Sequence, residues 1–221
     1  MTSLARVRRH TRSCVAIVSC GTVLASNVVL AAITAAQTQG AVAEPALRAE
    51  FVQLGRDDQA AREGLADAIK SNDGVFREQL IERDAARTRR LKEVVSAYGW
   101  PTVALIGRDG VEAAWLILQH SADSAWQEEM LPRLQAASET GDIPRADVAL
   151  LTDRVLVRAG RPQRYGSSFS VMNGRLVADA IEDEINVDSR RAAVGLPSMA
   201  EYALLLADVY KMAVEWPRQP K

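Results

Sequence analysis

VEAAWLILQHSADSAWQEEM, residues 111–130, is the stretch that decides the fold. Apolar residues recur at helical spacing on both sides of its polar corner, QHSAD, residues 119–123. This pattern predicts one helix over about 111–120 and another over about 124–138. Two helices joined by so short a corner indicate a mainly α protein, because each helix must bury its apolar face against another element.

The flanking sequence continues the helical pattern, with one exception. Asn173 and Gly174 separate two β-leaning runs, and such a pair is typical of a type I′ hairpin because that turn needs positive φ at both residues. We therefore predict a compact, mainly α domain with one small β-hairpin at about 166–181. The other predicted features are helices at about 44–72, 75–98, 144–160, 182–196 and 198–212, a loop at 100–110, and a capping box of Ser124 and Gln127.

The N-terminus predicts export from the cytoplasm. Residues 1–43 hold four arginines and no acidic residue, and the stretch 13–36 is uncharged. A basic segment followed by an apolar one is typical of a signal peptide, although ~20 apolar residues can also span a bilayer. A cleaved signal, a retained anchor at 13–36 and a lipoprotein signal ending at Cys20 all stay open. Each of them places the rest of the chain in the periplasm or outside the cell.

The rest of the chain divides into a helical lead-in and one domain. A break at SNDG, residues 71–74, separates a weakly amphipathic lead-in, 44–74, from a single helical domain, 75–215. Residues 216–221 are expected to form a tail.

Composition excludes several classes of function. Beyond the export segment the chain holds 23 basic and 28 acidic residues, and an acidic domain is a poor partner for nucleic acid. Both cysteines, Cys14 and Cys20, lie in the export segment, so the domain has no disulfide and no thiolate ligand. His120 is the only histidine after His10, which excludes a multi-histidine zinc site within one chain. We predict no metal, no cofactor, and contact with a membrane only through the N-terminal segment.

Four stretches of the chain resemble a known family. They are YGWP (98–101), AAWLILQHSAD (113–123), LTDRVLVRAGRPQRYGSSF (151–169) and VDSRRAAVGLPSMAEY (187–202). In the same order they resemble segments of a bacterial family known only as a domain of unknown function, with A-W-L-x-x-Q-H-[AS]-D and G-x-x-Q-x-Y-G-[ST] among its motifs. The resemblance spans residues 84–202 and implies no particular activity.

The resemblance implies a shared set of polar residues. The chain departs from the family in one place, because Ser167 and Ser168 follow the Tyr-Gly pair where Thr-Gln is expected. Any ligand contact made by that loop is then altered here. The shared residues are Gln119, His120, Asp123, Asp153, Arg154, Gln163, Tyr165 and Gly166.

These residues have a structural interpretation beside the functional one. His120 and Asp123 suit a corner between two helices, His120 by bonding the last carbonyls and Asp123 by capping the next helix. Asp153 or Arg154 can hold the loop that follows their helix, because its backbone groups need partners. Arg190 and Arg191 are interpreted as a solvated face, although arginine also binds carboxylates.

Two functions remain open, so whether the protein is an enzyme is undecided. A binding module would hold a small ligand or a protein partner in a polar pocket between the corner 119–123 and the loop 161–169. A cell-envelope hydrolase would use His120 as general base, oriented by Asp123 or Asp153. The ligand-binding candidates are Gln119, His120, Arg154, Gln163 and Tyr165, and the candidate nucleophiles are Ser121, Ser167 and Ser168.

Overall fold

The computed structural model describes residues 42–216 and, ahead of them, the backbone of a three-residue strand, β1 (Ile17–Ser19). Apart from β1 and residues 42–43, the predicted export segment lies outside the described residues, and so does the predicted tail except for Trp216. Within residues 42–216 no helix is long and apolar enough to cross a membrane.

Eight α-helices make up most of the described chain, which confirms the mainly α fold class. The helices are α1 (Pro45–Ala60), α2 (Leu65–Lys70), α3 (Gly74–Tyr98), α4 (Val103–His120), α5 (Ser124–Glu139), α6 (Arg145–Arg158), α7 (Val187–Ala193) and α8 (Met199–Tyr210). The other elements are the strands β2 (Ser168–Met172), β3 (Arg175–Ala178) and β4 (Val214–Glu215) and a 3-10 turn at Glu184–Asn186.

The main hydrophobic core lies among α1, α3, α4, α5 and α6. α1 packs closely on α4, since a Cβ atom added to Gly55 would lie only 2.8 Å from the Cβ atom of Ala113. This close contact brings the polar residues of α1 beside the end of α4. The fully buried side chains of the core include Phe51, Leu91, Ile106, Leu118, Met130, Leu134 and Leu151.

The loop predicted at 100–110 is wrong, because α4 already begins at Val103. The side chain of Thr102 caps the helix by accepting a hydrogen bond from the Leu105 N–H at 3.2 Å. Gly107 has a φ of +72° inside the helix and produces a kink there. These angles are not helical, and a glycine can adopt them without a steric penalty, so α4 consists of two helical segments that join at a kink at Gly107.

The capping box predicted for Ser124 and Gln127 is also wrong. Asp123 is the cap of α5, and its Oδ1 accepts the Trp126 N–H at 3.0 Å. Gln127 turns back to α4, where its Nε2 donates to the Leu118 carbonyl at 2.8 Å. An aspartate caps well because its carboxylate reaches the free amides of the first helical turn.

The predicted hairpin is confirmed. β2 and β3 pair antiparallel with Met172 opposite Arg175, and Asn173 and Gly174 have φ values of 51° and 74°. β4 adds to the sheet parallel to β3, and β1 pairs antiparallel with β2. The second hydrophobic core, which contains hairpin and α8 residues, includes Phe169, Leu176, Tyr202, Leu206 and Tyr210.

Gly174→Val is expected to lower the free energy of unfolding by about 1 kcal/mol or more, because a β-branched residue resists positive φ. No atom lies within 4 Å of the added Cβ, so the effect would come from the backbone alone. Gly74→Val is the matched control, since Gly74 has the same open surroundings without a positive φ. Urea denaturation measures both variants, and an equal loss in the two would contradict the prediction.

Candidate functional site

His120 is the last residue of α4, and its nearest partner is on α1. Nδ1 of His120 lies 2.8 Å from Oδ2 of Asp58. The Asp58 side chain is fully buried, and that of His120 is only 6% exposed. Neither Asp123 nor Asp153, the carboxylates predicted to orient His120, has a hydrogen bond or ion pair with it among the described residues. The carboxylate that holds the imidazole is therefore Asp58.

Further charged groups surround this pair. Arg62 bridges two carboxylates, since its guanidinium lies 2.8 Å from Asp58 Oδ1 and 2.9 Å from Asp84 Oδ2. Arg87 also pairs with Asp84, at 2.6 Å. All five side chains are nearly or fully buried, so their charges interact in a medium that screens them poorly. We call them the charged centre: Asp58, Arg62, Asp84, Arg87 and His120.

The protonation states within the charged centre follow from its contacts. Burial favours a raised pKa for Asp58, but the His120 hydrogen bond and the charges of Arg62 and Arg87 outweigh it and lower the pKa. Burial lowers the pKa of His120, and the charges of Arg62 and Arg154 add to that effect against the Asp58 hydrogen bond. At neutral pH Asp58 is thus ionised and His120 is neutral. Nδ1 carries the proton that is donated to Asp58, which leaves Nε2 as a basic nitrogen.

Arg154, on α6, faces the charged centre but pairs with none of its carboxylates. It is 5% exposed, and its guanidinium has no hydrogen-bond or ion-pair partner among the residues that the structure describes. Burial lowers its pKa to about 9, and the nearby charges of Arg158 and Arg62 contribute to the shift. The charge of Asp84 opposes this shift, but a buried guanidinium without a hydrogen-bonded or ion-paired acceptor is costly and therefore needs an explanation.

The rest of the QHSAD corner is held by structural contacts. Gln119 is fully buried, and its backbone carbonyl accepts a hydrogen bond from Gln127 at 3.2 Å. Arg158 donates to the Ser121 carbonyl at 3.1 Å. Asp123 both caps α5 and pairs with Lys92 at 2.6 Å in an exposed position. The structural interpretation of Asp123 as a helix cap is therefore correct.

Asp153 organises the loop that follows α6. Its buried carboxylate accepts the backbone N–H groups of Arg164, Tyr165 and Ser167 at 2.7–2.9 Å, and the Ser167 hydroxyl at 2.8 Å. Burial raises the pKa of Asp153, while the hydrogen bonds from Ser167 and Tyr165 oppose the shift. Asp153 thus supplies the partners that the backbone of this loop needs.

Gln163 and Tyr165 also contribute to the loop structure. The Gln163 amide bonds to the backbone of Ser168 and Asp179, which ties the loop to the hairpin. Tyr165 is half-buried and packs against the main core. Its backbone carbonyl accepts a hydrogen bond from Arg191.

The solvated face predicted for Arg190 and Arg191 is wrong for Arg191. Its side chain is fully buried, 4.8 Å over the ring of Tyr202, and it donates to the carbonyls of Tyr165 and Pro197. An arginine can be buried in this way when carbonyl oxygens and an aromatic face replace its water. The two arginines are adjacent on a helix, so the sequence could not show which of them points inward.

α6 lies between the corner 119–123 and the loop 161–169. Asp153 binds the loop, whereas its neighbour Arg154 faces the charged centre. In the described part of the chain no hydrogen bond or ion pair joins His120, Ser121 or Asp123 directly to the loop 161–169. None of the candidate nucleophiles Ser121, Ser167 and Ser168 bonds to His120 within that part.

Asp58 carries a signal that could have revealed it. Leu47, Phe51, Gly55 and Asp58 follow one another at helical spacing, and all four are buried. A charged residue on an otherwise apolar stripe is a candidate for a buried polar contact, because an unpaired carboxylate there would be very unfavourable.

Over residues 42–216 no group of three or more His, Cys, Asp or Glu residues could hold a metal ion.

Comparison with known proteins identifies the family. The model of a family of unknown function, DUF6624, matches residues 45–215, which is most of the chain. The chain belongs to this family. The resemblance inferred from the sequence is therefore confirmed, and the DUF6624 domain extends from α1 to β4, so Asp58 lies within it. No curated protein and no solved structure matches the chain.

The DUF6624 domain holds a further titratable carboxyl group near the start of α6, that of Asp147. Burial and the charge of Glu112 raise the pKa of Asp147 to about 7. Burial also raises the pKa of Glu112, although the charge of Arg108 opposes it. The three residues line a small cavity of about 10 Å³ together with Val111, Trp115, Asp142, Ile143 and Pro144.

Asp147→Asn is expected to stabilise the domain above pH 7. From about pH 4 to pH 7 the unfolded chain loses the Asp147 proton and the native state keeps it, so stability falls as the pH rises. Above pH 7 the cost of the buried charge is fully present, and the variant should gain about 2–6 °C in Tm at pH 8. Asp208→Asn, at an exposed position, is the control. A gain that is equally large at pH 4 would contradict this assignment.

Proposed function

We propose that the domain is an exported binding module that holds a small polar ligand at the charged centre. The observation that carries this proposal is the state of His120, a neutral imidazole oriented by Asp58 at 2.8 Å. Its Nε2 has no partner among the described residues. A ring nitrogen that is oriented but has no partner is suited to accept a hydrogen bond from a ligand.

The ligand contacts in this proposal come from the corner and from α6. His120 and Arg154 are the main contacts, with the buried Gln119 beside them. Gln163 and Tyr165 support the loop and are assigned no ligand contact, because their groups serve the backbone and the core. The family itself supplies no ligand, so the ligand class has to come from the chemistry of the site.

A thermal-shift screen tests the binding function. Metals, sugars, peptidoglycan fragments and nucleotides are added to the wild-type chain and to His120→Gln, with Arg133→Ala at an exposed position as control. A ligand that binds only the native state raises its stability by about 2.7 kcal/mol at 100 times Kd. We expect such a ligand to raise the Tm of wild type and control by clearly more than the Tm of His120→Gln, which lacks the imidazole contact. An unchanged response of His120→Gln would refute the proposal.

A hydrolase is the second candidate, and the Asp58–His120 pair is the observation in its favour. A carboxylate at 2.8 Å from Nδ1 holds an imidazole in the tautomer in which Nε2 acts as general base. The attacking group would then be a water molecule or a group of the substrate, since none of the candidate serines bonds to His120 in the described residues.

Hydrolysis of esters and of peptidoglycan by the purified chain tests this candidate. General-base catalysis contributes about 10²–10⁴-fold in rate, so His120→Ala should lose at least about 100-fold of any turnover. The exposed-site variant Arg133→Ala should keep it. If His120→Ala keeps the turnover of wild type, the hypothesis of a hydrolase that uses the Asp58–His120 pair is wrong.

The export part of the proposal has its own test. Residues 1–45 are fused to a reporter enzyme that is active only outside the cytoplasm, and activity is expected because the segment has four arginines ahead of an uncharged stretch. Replacing two residues of that stretch with aspartate should abolish the activity. A silent reporter that is expressed at a normal level would show that the segment does not direct export.

A further inference from the structure

The charges around Arg154 do not balance. The guanidinium groups of Arg62, Arg87, Arg154 and Arg158 lie in or beside the charged centre, and among the described residues the carboxylates there are Asp58 and Asp84. His120 is neutral, because burial and the neighbouring arginines lower its pKa. The region therefore carries an excess of positive charge. Such an excess in a poorly screened interior attracts an anion.

The two carboxylates are already used by other arginines. Asp58 accepts from Arg62 and His120, and Asp84 accepts from Arg62 and Arg87. Neither carboxylate has a hydrogen bond or an ion pair to Arg154 within residues 42–216. An additional acceptor from outside the chain would satisfy this guanidinium.

Arg158, one helical turn further along α6, also has no carboxylate partner within residues 42–216. It donates to the Ser121 carbonyl at 3.1 Å and to Gln127 Oε1 at 2.6 Å, which are both neutral acceptors. Residues four apart lie on the same face of a helix, so Arg154 and Arg158 point to the same side of α6. The two cations raise the local potential together, and the nearby charge of Arg158 makes an isolated Arg154 cation still less favourable.

We infer that Arg154 binds a small oxyanion and that His120 Nε2 accepts a hydrogen bond from a hydroxyl group on the same ligand. This inference rests on the proposed binding function and specifies its ligand class. A planar guanidinium matches an oxyanion with two parallel hydrogen bonds. A basic imidazole nitrogen needs a hydrogen-bond donor. Hydrogen phosphate and 2-hydroxycarboxylates carry a hydroxyl group that can donate, whereas sulfate and acetate carry none.

The burial of both groups limits the size of the ligand. Arg154 is 5% exposed and the His120 side chain is 6% exposed, so only a small group can reach them. The ligand is therefore a small anion or the terminal group of a larger molecule. Hydrogen phosphate and glycolate are suitable probes, with sulfate and acetate as their counterparts without a hydroxyl donor.

The experiment measures the Tm and the binding heat of the full chain with each of the four anions at pH 7.5. Phosphate or glycolate should raise the Tm of wild type, and sulfate and acetate should bind at least about tenfold more weakly. Arg154→Met should lose the response to all four anions. In anion-free buffer Arg154→Met should be as stable as wild type or more stable, because it removes a buried cation without a partner. Arg133→Met, at an exposed position of α5, should respond like wild type.

Two further variants separate the roles of the groups. Arg154→Lys keeps the charge but not the planar donor pair, so its Kd for phosphate or glycolate should rise at least about tenfold. His120→Gln should reduce the preference for phosphate over sulfate without removing anion binding. If Arg154→Met does not fold, Arg154→Lys and His120→Gln still decide the question.

Two results would contradict the inference. An unchanged phosphate response in Arg154→Met or Arg154→Lys would overturn the inference, and so would no binding of any anion to wild type. If the thermal-shift screen instead finds a neutral ligand whose binding needs His120, the oxyanion inference is wrong and the binding function stands. If neither an anion nor a neutral compound binds, the oxyanion inference and the proposed binding function are both wrong.

Discussion

Asp153→Ala is expected to destabilise the domain by about 3–5 kcal/mol, the cost of breaking a buried polar network at its charged member. The substitution leaves the backbone N–H groups of Arg164, Tyr165 and Ser167 without their acceptor. It also removes a carboxylate whose charge stabilises the buried Arg191. The loop from α6 to β2 would then lose its anchor, and the hairpin would lose one of its supports.

The measurement is urea denaturation together with amide hydrogen exchange. Exchange should accelerate at Arg164, Tyr165 and Ser167 before global unfolding, because their donors are freed locally. Asp208→Ala, also on a helix but exposed, should change stability by less than about 0.5 kcal/mol. A loss below about 1 kcal/mol for Asp153→Ala would mean that water replaces the carboxylate at little cost.

Asp58→Ala is expected to have an effect of similar size, about 3–5 kcal/mol, since it breaks a buried ion network. The carboxylate is fully buried and accepts from His120, Arg62 and Gln59. Without it the excess of buried positive charge increases further, and the contact of α1 with the end of α4 loses its polar anchor.

Asp57→Ala, at the adjacent exposed position, is the control for Asp58→Ala and should be nearly neutral. Asp58→Asn offers a second measurement, because loss of the carboxylate should lower the pKa of His120 further in an NMR titration. His120 resists protonation in the native state, so stability should fall as the pH drops below about 6.5. A raised His120 pKa in Asp58→Asn would show that Asp58 is not its partner.

Much of the fold could be predicted from the sequence because its signals are local. The apolar spacing of residues 111–118 predicts a helix without any information about distant residues. Asn173 and Gly174 predict the turn because few other residue pairs adopt positive φ so easily. The family resemblance was also visible, since it depends on four stretches read in order, and the family match confirms it.

Where local signals conflicted, the prediction failed. Residues 100–110 contain two glycines and a proline, which favour a loop, yet the cap at Thr102 and the kink at Gly107 allow a helix there. Asp123 and Ser124 are both good caps, and contact with the end of α4 favours the first of them. In each case packing against neighbouring helices decided between two local conformations of similar free energy.

The sequence by itself determined the helical class, the hairpin and the composition of the candidate site, in which His120 is the only histidine after His10. Only the tertiary structure decided how that site is connected. The His120–Asp58 contact spans 62 positions and exists because Gly55 lets α1 approach α4 closely. The burial of Arg154 likewise arises from the packing of several helices. Periodicity shows which residues share a face, but the partner of a buried charge depends on which faces meet, and that is a property of the assembled domain.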